Sequence, residues 1–399
     1  MSLLASTLVM ATASLGGFQL DGDAQGRATL AWTGYAGKRY VLRVADLRDG
    51  RPGPTRELWT GKGLAHVMLE SFDVSPGGAA VACVQASRDV HDKPWRTYVL
   101  RRAAGGAWSK PIRVSGKRIH DVSCATDDSG RVTIAYGLGG PVRTTTIAVD
   151  GSQEGPVTLR RDSVGPPQVV ASATGAATIA YTADTNRQRF LYIAESGPGG
   201  WTSRLVGPAM LPELAMDDTG RALVGWSSVS EADNQLRLAT APAFAPQTLI
   251  SEPRSTLSRI AASARGDVLA AWQSNAWTFS NGPRELHVML QRPGQPFGPP
   301  VSLGRFEGYP AEIALAADGT GAAAWNTARE SRPPKLVVRR LAADGAWQPP
   351  VALAGTEVQI VAAPGGTVTV AWLAKSADGR RERLHAGLVA TGSLARRSR

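Results

Sequence analysis

Small and β-branched residues recur along this chain in short runs that a glycine introduces and an aromatic residue closes. Glycine and aromatic stand six positions apart in Gly26/Trp32, Gly130/Tyr136, Gly175/Tyr181, Gly220/Trp226, Gly266/Trp272, Gly319/Trp325 and Gly366/Trp372. A further copy, Gly77/Cys83, carries cysteine at the aromatic place. Trp32 to Trp372 spans 340 residues in seven steps, about 49 per repeat. A fixed period of that length marks a repeat architecture.

Each copy reads as four strands. An apolar strand ends in a polar-Gly turn, as in Leu214 to Gly220, and a second strand, Ala222 to Trp226, follows at once. A variable loop leads to a third strand such as Leu236 to Thr240. The fourth opens with an aromatic and a proline, as in Trp108-Ser109-Lys110-Pro111; Phe244, Phe297 and Trp347 start equivalent segments, and Trp201 does so without the proline. Proline suits an outer edge strand, where a missing N–H breaks no ladder.

This pattern predicts an all-β fold: one β-propeller over residues 1–399, with eight blades of four antiparallel strands. A blade cannot bury both faces alone, so the repeated aromatics are expected between blades. The last copy ends after its third strand, Leu384 to Val389. Ser6 to Met10 resembles the fourth strand of another copy, Gln247 to Ser251, and the segment from about Leu3 to Met10 is expected to complete the blade that holds Trp372. A competing reading treats Leu3 to Met10, followed by Ala11-Thr12-Ala13, as an export signal. It lacks the basic residues that normally precede such a run. Export is favoured over a cytoplasmic location by a small margin.

Composition narrows the picture. Hydrophobic residues make up 43% and charged residues 19%, enough for a folded core, and Gly 44 with Pro 26 supplies many turns. The net charge is +11, mostly from arginine. No dense basic run occurs outside Arg396-Arg397-Ser398-Arg399, so nucleic acid is not the expected partner, although the charge leaves it open. No apolar run reaches the roughly 20 residues of a membrane helix. Cys83 and Cys124 are expected as free, buried thiols, and the histidines His66, His91, His120, His287 and His385 lack zinc spacing. No metal or cofactor is called for.

Alignment on the glycine gives one polar column, seven residues earlier: Gln19, Glu70, Ser123, Gln168, Glu213, Arg259, Glu312 and Gln359. Strand alternation sets these residues apart from the apolar column that follows. They are expected to ring one mouth of the central channel, either lining it or bonding neighbouring backbone. The variable loops crowd the same face, and two carry aromatics outside the repeat: Trp95, then Trp277 and Phe279. An aromatic beside Arg or Asn suits stacking on a sugar or gripping a protein. Basic loop residues add Arg187, Arg189, Arg329, Arg332, Arg381 and Arg383.

The repeats resemble sialidase-like and other secreted bacterial propeller repeats, in which Asp-x-Gly precedes a strand ending in Trp. Asp128-Ser129-Gly130 and Asp218-Thr219-Gly220 match that turn, but the full Ser-x-Asp-x-Gly-x-Thr-Trp box is not reproduced, and the Gly-His and Trp-Asp signatures of WD repeats are missing. The resemblance implies architecture only. A sialidase-like mechanism would need an arginine cluster, a tyrosine nucleophile and acid/base carboxylates. Arg259, Glu70, Glu213 and Glu312 supply part of that set. The expected function is a non-catalytic binding propeller, a monomer, that presents the mouth to a glycan or a protein. A glycoside hydrolase or lyase at the same mouth is the alternative, and a structural scaffold the third.

Overall fold

The repeated glycine is a turn residue. In the computed structural model each one has positive φ, from +73° at Gly26 to +92° at Gly78, and donates its N–H to the carbonyl three residues before it. A side chain is strained in that conformation, which accounts for the invariance of glycine within the repeat. The residue three before is Asp or Ser in most copies, and its side chain accepts the N–H that follows the turn. Asp23, Asp127 and Asp217 take the N–H of Arg27, Arg131 and Arg221 at 2.9–3.0 Å, and Ser75, Ser172 and Ser263 act alike. These side-chain bonds fix the hairpin between first and second strands.

The structure describes residues 4–12, 15–36, 39–48, 50–60, 66–87, 95–115, 119, 121–137, 140–185, 188–228, 235–251, 255–274, 284–306, 311–327, 335–375 and 382–389. Among these there is no helix, hence none long and apolar enough to cross a membrane. The strands form four-stranded antiparallel meanders, as in Met210–Met216, Ala222–Ser227, Gln235–Thr240 and Gln247–Ser251. Two meanders, Ser123–Thr126 to Gln153–Ser163 and Gln168–Ala171 to Gly200–Pro208, join through the single pair Ser163↔Ala183. The segment Leu4–Thr12 pairs antiparallel with Glu382–Val389, outermost in the sheet that holds Trp372. The first strands pack in succession, from Leu15–Gly22 through His66–Val74 and onward, and Val358–Ala363 packs back on Leu15–Gly22.

Each repeated aromatic is buried against the preceding sheet. Trp226 meets Leu191 and Ile193, Trp272 meets Leu223 and Leu236, Trp325 meets Leu269 and Leu286, and Trp32 meets Leu373 and Leu384. Indole N–H groups add bonds to the same neighbour: Trp226 to Pro208 O at 3.1 Å and Trp325 to Arg305 O at 3.0 Å. Burial of about 200 Å² of ring at about 25 cal/mol/Å² stabilises each interface by about 5 kcal/mol.

The second copy corrects the sequence alignment. Its turn glycine is Gly78, whose N–H reaches Ser75 O, and not Gly77. The frame moves by one, so Val84 stands at the aromatic place and Ser71, not Glu70, in the polar column. The pairing Ser71↔Cys83 repeats Gln19↔Ala31 and Arg259↔Ala271. Tyr98, the cross-strand partner of Val84, meets Trp59 of the preceding sheet in a tilted pair at 4.8 Å, and both pack on the core between those sheets. Cys83 and Cys124 lie buried together at the next interface as free thiols.

Candidate functional site: the channel mouth

A first strand is the inner edge of its sheet, so its N–H and C=O groups on the channel side need partners. The polar column supplies them, each residue serving the next sheet. Ser71 Oγ accepts the Cys124 N–H at 3.1 Å, Ser123 Oγ the Val169 N–H at 3.1 Å, and Gln168 Oε1 the Leu214 N–H at 2.7 Å. Gln359 Oε1 accepts the Leu20 N–H, which carries the series from the last copy to the first. The Gln168 NH2 also donates to Pro212 O, two residues before Leu214, at 2.9 Å, and the Gln19 NH2 donates to Glu70 O at 3.3 Å. A carboxamide thus stands in for one peptide unit between two strands.

Charged members of the column do otherwise. Arg259 donates to both oxygens of Glu213, at 3.0 and 2.9 Å, and to both of Glu312, at 3.1 and 3.4 Å. The guanidinium is about one-third exposed and both carboxylates less so. Burial pushes the Glu213 carboxyl above its ordinary range, against the pull of Arg259. Burial also opposes the charge on Arg259, but Glu312 and Glu213 together outweigh it and hold the guanidinium protonated. Two carboxyl groups thus share one guanidinium, and the group lines mouth cavities of about 390 and 240 Å³.

Two residues deeper, the motif repeats in one sector. Asp21 Oδ2 accepts the Val74 N–H and Asp73 Oδ2 the Thr126 N–H, both at 2.8 Å. Burial raises Asp21 to about 6 despite the N–H groups of Val74 and Gly22. Asp73 is pushed well up by burial and then by Asp21. Both face a channel cavity of about 370 Å³ whose other walls include Val170, Ala215, Ala261 and Val361. Sequence reasoning missed this pair. The signal was available: in the column two places after the polar one, the remaining copies carry only Ala or Val.

Of the expected site residues, the structure brings together Glu213, Arg259 and Glu312, and engages Gln168 and Gln359 with backbone. Glu70 falls outside the column, and its backbone carbonyl accepts the Gln19 NH2. Trp277, Phe279, Arg187, Arg329, Arg332 and Arg381 lie outside the described residues, while Arg189 faces Asp184 at 3.5 Å. Trp95 is half-buried and stands edge-on to His66 at 5.4 Å; His66 meets Tyr40 at 5.0 Å, and Tyr40 meets Tyr35 at 3.9 Å. His287 and His385 stack on the repeat residues Trp272 and Trp372. Among the described residues no three His, Cys, Asp or Glu side chains gather as a metal would require.

Three arginines act as mortar at the turn end of the blades. Arg101 donates to Gly130 O at 2.6 Å, Arg340 to Gly366 O at 3.2 Å and Arg292 to Gly319 O at 3.4 Å, each reaching the turn glycine of the next copy.

No protein-family model matches the chain, and no curated protein matches it in sequence. Among solved structures it is similar to the Dos1 propeller, with a TM-score of 0.57 at 8% identity over 98% of this chain and 95% of that one. A prolyl endopeptidase matches with a TM-score of 0.53 at 12% identity over 91% of this chain; the chain spans only 55% of that protein. The sialidase NanB of Streptococcus pneumoniae gives a TM-score of 0.40 at 9% identity over 91% of this chain and 84% of that one, too low for any argument. These likenesses show the fold alone: the chain has a β-propeller architecture.

Proposed function

We propose that the chain is one closed ring of eight blades, fastened by its own N-terminal strand, that works as a non-catalytic binding propeller and presents the mouth to a glycan or protein partner. Closure is supported by the first strands, which pack around from the first copy to the last and back, and by the pairing of Leu4–Thr12 with Glu382–Val389. The binding reading rests on one observation: the polar groups of the mouth are already engaged. Gln and Ser hold neighbouring strands, and Arg259 is claimed by two carboxylates, so the arginine a sialidase-like site would turn toward an acidic sugar is neutralised from within.

Glu213 favours the hydrolase alternative on one point, because a carboxyl with a raised pKa suits a general acid. Turnover of a panel of aryl glycosides by the wild type and Glu213→Gln decides between the two. The binding reading expects no turnover above buffer in either protein. Hydrolysis by the wild type that Glu213→Gln abolishes would replace it with the enzyme reading.

A further inference from the structure

The chain Tyr35, Tyr40, His66 and Trp95 has no counterpart in the repeat. Tyr35 and Tyr40 are cross-strand partners at the hairpin between second and third strands. The same hairpin elsewhere is polar: Asp184 pairs with Arg189 and Lys375 with Glu382. The hairpin therefore folds in those copies without aromatic rings, and interface packing does not explain Tyr35, which is 38% exposed. Met68 lies two residues beyond His66 on the same face of its strand and is 36% exposed. Arg39, exposed at the hairpin, precedes Tyr40 in the chain, and Arg96 follows Trp95. Among the described residues neither makes an ion pair.

Tyr, Trp, Met and Arg are the residues enriched at the centres of protein interfaces, and carboxylates are depleted there. A sugar site needs side-chain acceptors for several hydroxyl groups. This patch instead offers ring surface and two cations, with no carboxylate or carboxamide among its named residues, on a chain of net charge +11. Resting on the binding reading above, we propose that Tyr35, His66, Met68 and Trp95, backed by the buried Tyr40 and with Arg39 and Arg96 adjoining in sequence, form the docking site for a protein segment that sets an apolar or aromatic side chain beside a carboxylate.

The probe is a displayed library of random twelve-residue peptides, selected on the intact protein and run beside a glycan array. The proposal expects enriched peptides that carry Asp or Glu next to Leu, Phe or Trp. Their affinity should fall at least tenfold in Tyr35→Ala and in Trp95→Ala, and at least fivefold in Arg39→Glu. Tyr35→Phe should bind within about twofold of the wild type, and the melting temperature of Tyr35→Ala should stay within a few degrees, which separates docking from folding. Peptides that bind all variants equally overturn this site but leave a binding propeller standing. Glycans that bind in a Tyr35- and Trp95-dependent way replace the protein partner with a sugar. No ligand in either screen overturns both readings.

Discussion

Arg259 is the residue on which most of the mouth depends. Removing it leaves Glu213 and Glu312 facing each other, part-buried and unpaired. For fully buried pairs such a break costs about 3–5 kcal/mol; with the guanidinium one-third exposed, solvent screening reduces this, and we expect Arg259→Met to destabilise by about 1–2 kcal/mol. Adding Glu213→Gln and Glu312→Gln to that variant should restore most of the loss in urea unfolding. Asp21 and Asp73 give a pH dependence of definite sign. Their folded pKa values lie above the unfolded one, so the stability they contribute is present below about pH 4 and is lost as pH rises through about 6 and beyond. Asp21→Asn should therefore gain on the wild type between pH 4 and pH 8, by at most about 3 kcal/mol for a shift of about two pH units. Urea midpoints that move in parallel for both proteins across that range would count against the assignment.

At the level of the strand, the glycine and aromatic positions were legible because each carries one physical demand that recurs: a positive φ at the turn and a ring between sheets. Where two glycines adjoin, as at Gly77-Gly78, spacing alone did not fix the frame, and Glu70 and Cys83 were placed where Ser71 and Val84 belong. A steadier marker was the Asp or Ser three before the turn glycine, which reads Ser75-Pro76-Gly77-Gly78 without ambiguity. The polar column was legible as a column, but its work was not, since a carboxamide that bridges two strands and one that awaits a ligand look alike in sequence. Two substitutions test this frame. Ser71→Ala leaves the Cys124 N–H unbonded and should cost about 1–2 kcal/mol. Trp325→Ala, which empties the interface with Leu269 and Leu286, should cost about 3–5 kcal/mol.

For the molecule as a whole, the +11 charge reads differently once the blades are assembled. Arginines that suggest a polyanion partner in sequence hold turn carbonyls of the next copy, as Arg101, Arg292 and Arg340 do. At the mouth, Arg259 is shared by Glu213 and Glu312. The loops follow no repeat, so the period says nothing of a ligand, whereas every feature the repeat dictates is architectural. The central claim is a ring closed by its own first strand, in which Thr12 lies opposite Arg383. A Thr12→Cys/Arg383→Cys protein, mildly oxidised and examined by intact mass and by thermal unfolding, tests it directly. The account predicts an intramolecular disulfide in the monomer and a melting temperature above that of the reduced form. Failure to cross-link, or cross-linking only between molecules, would contradict it.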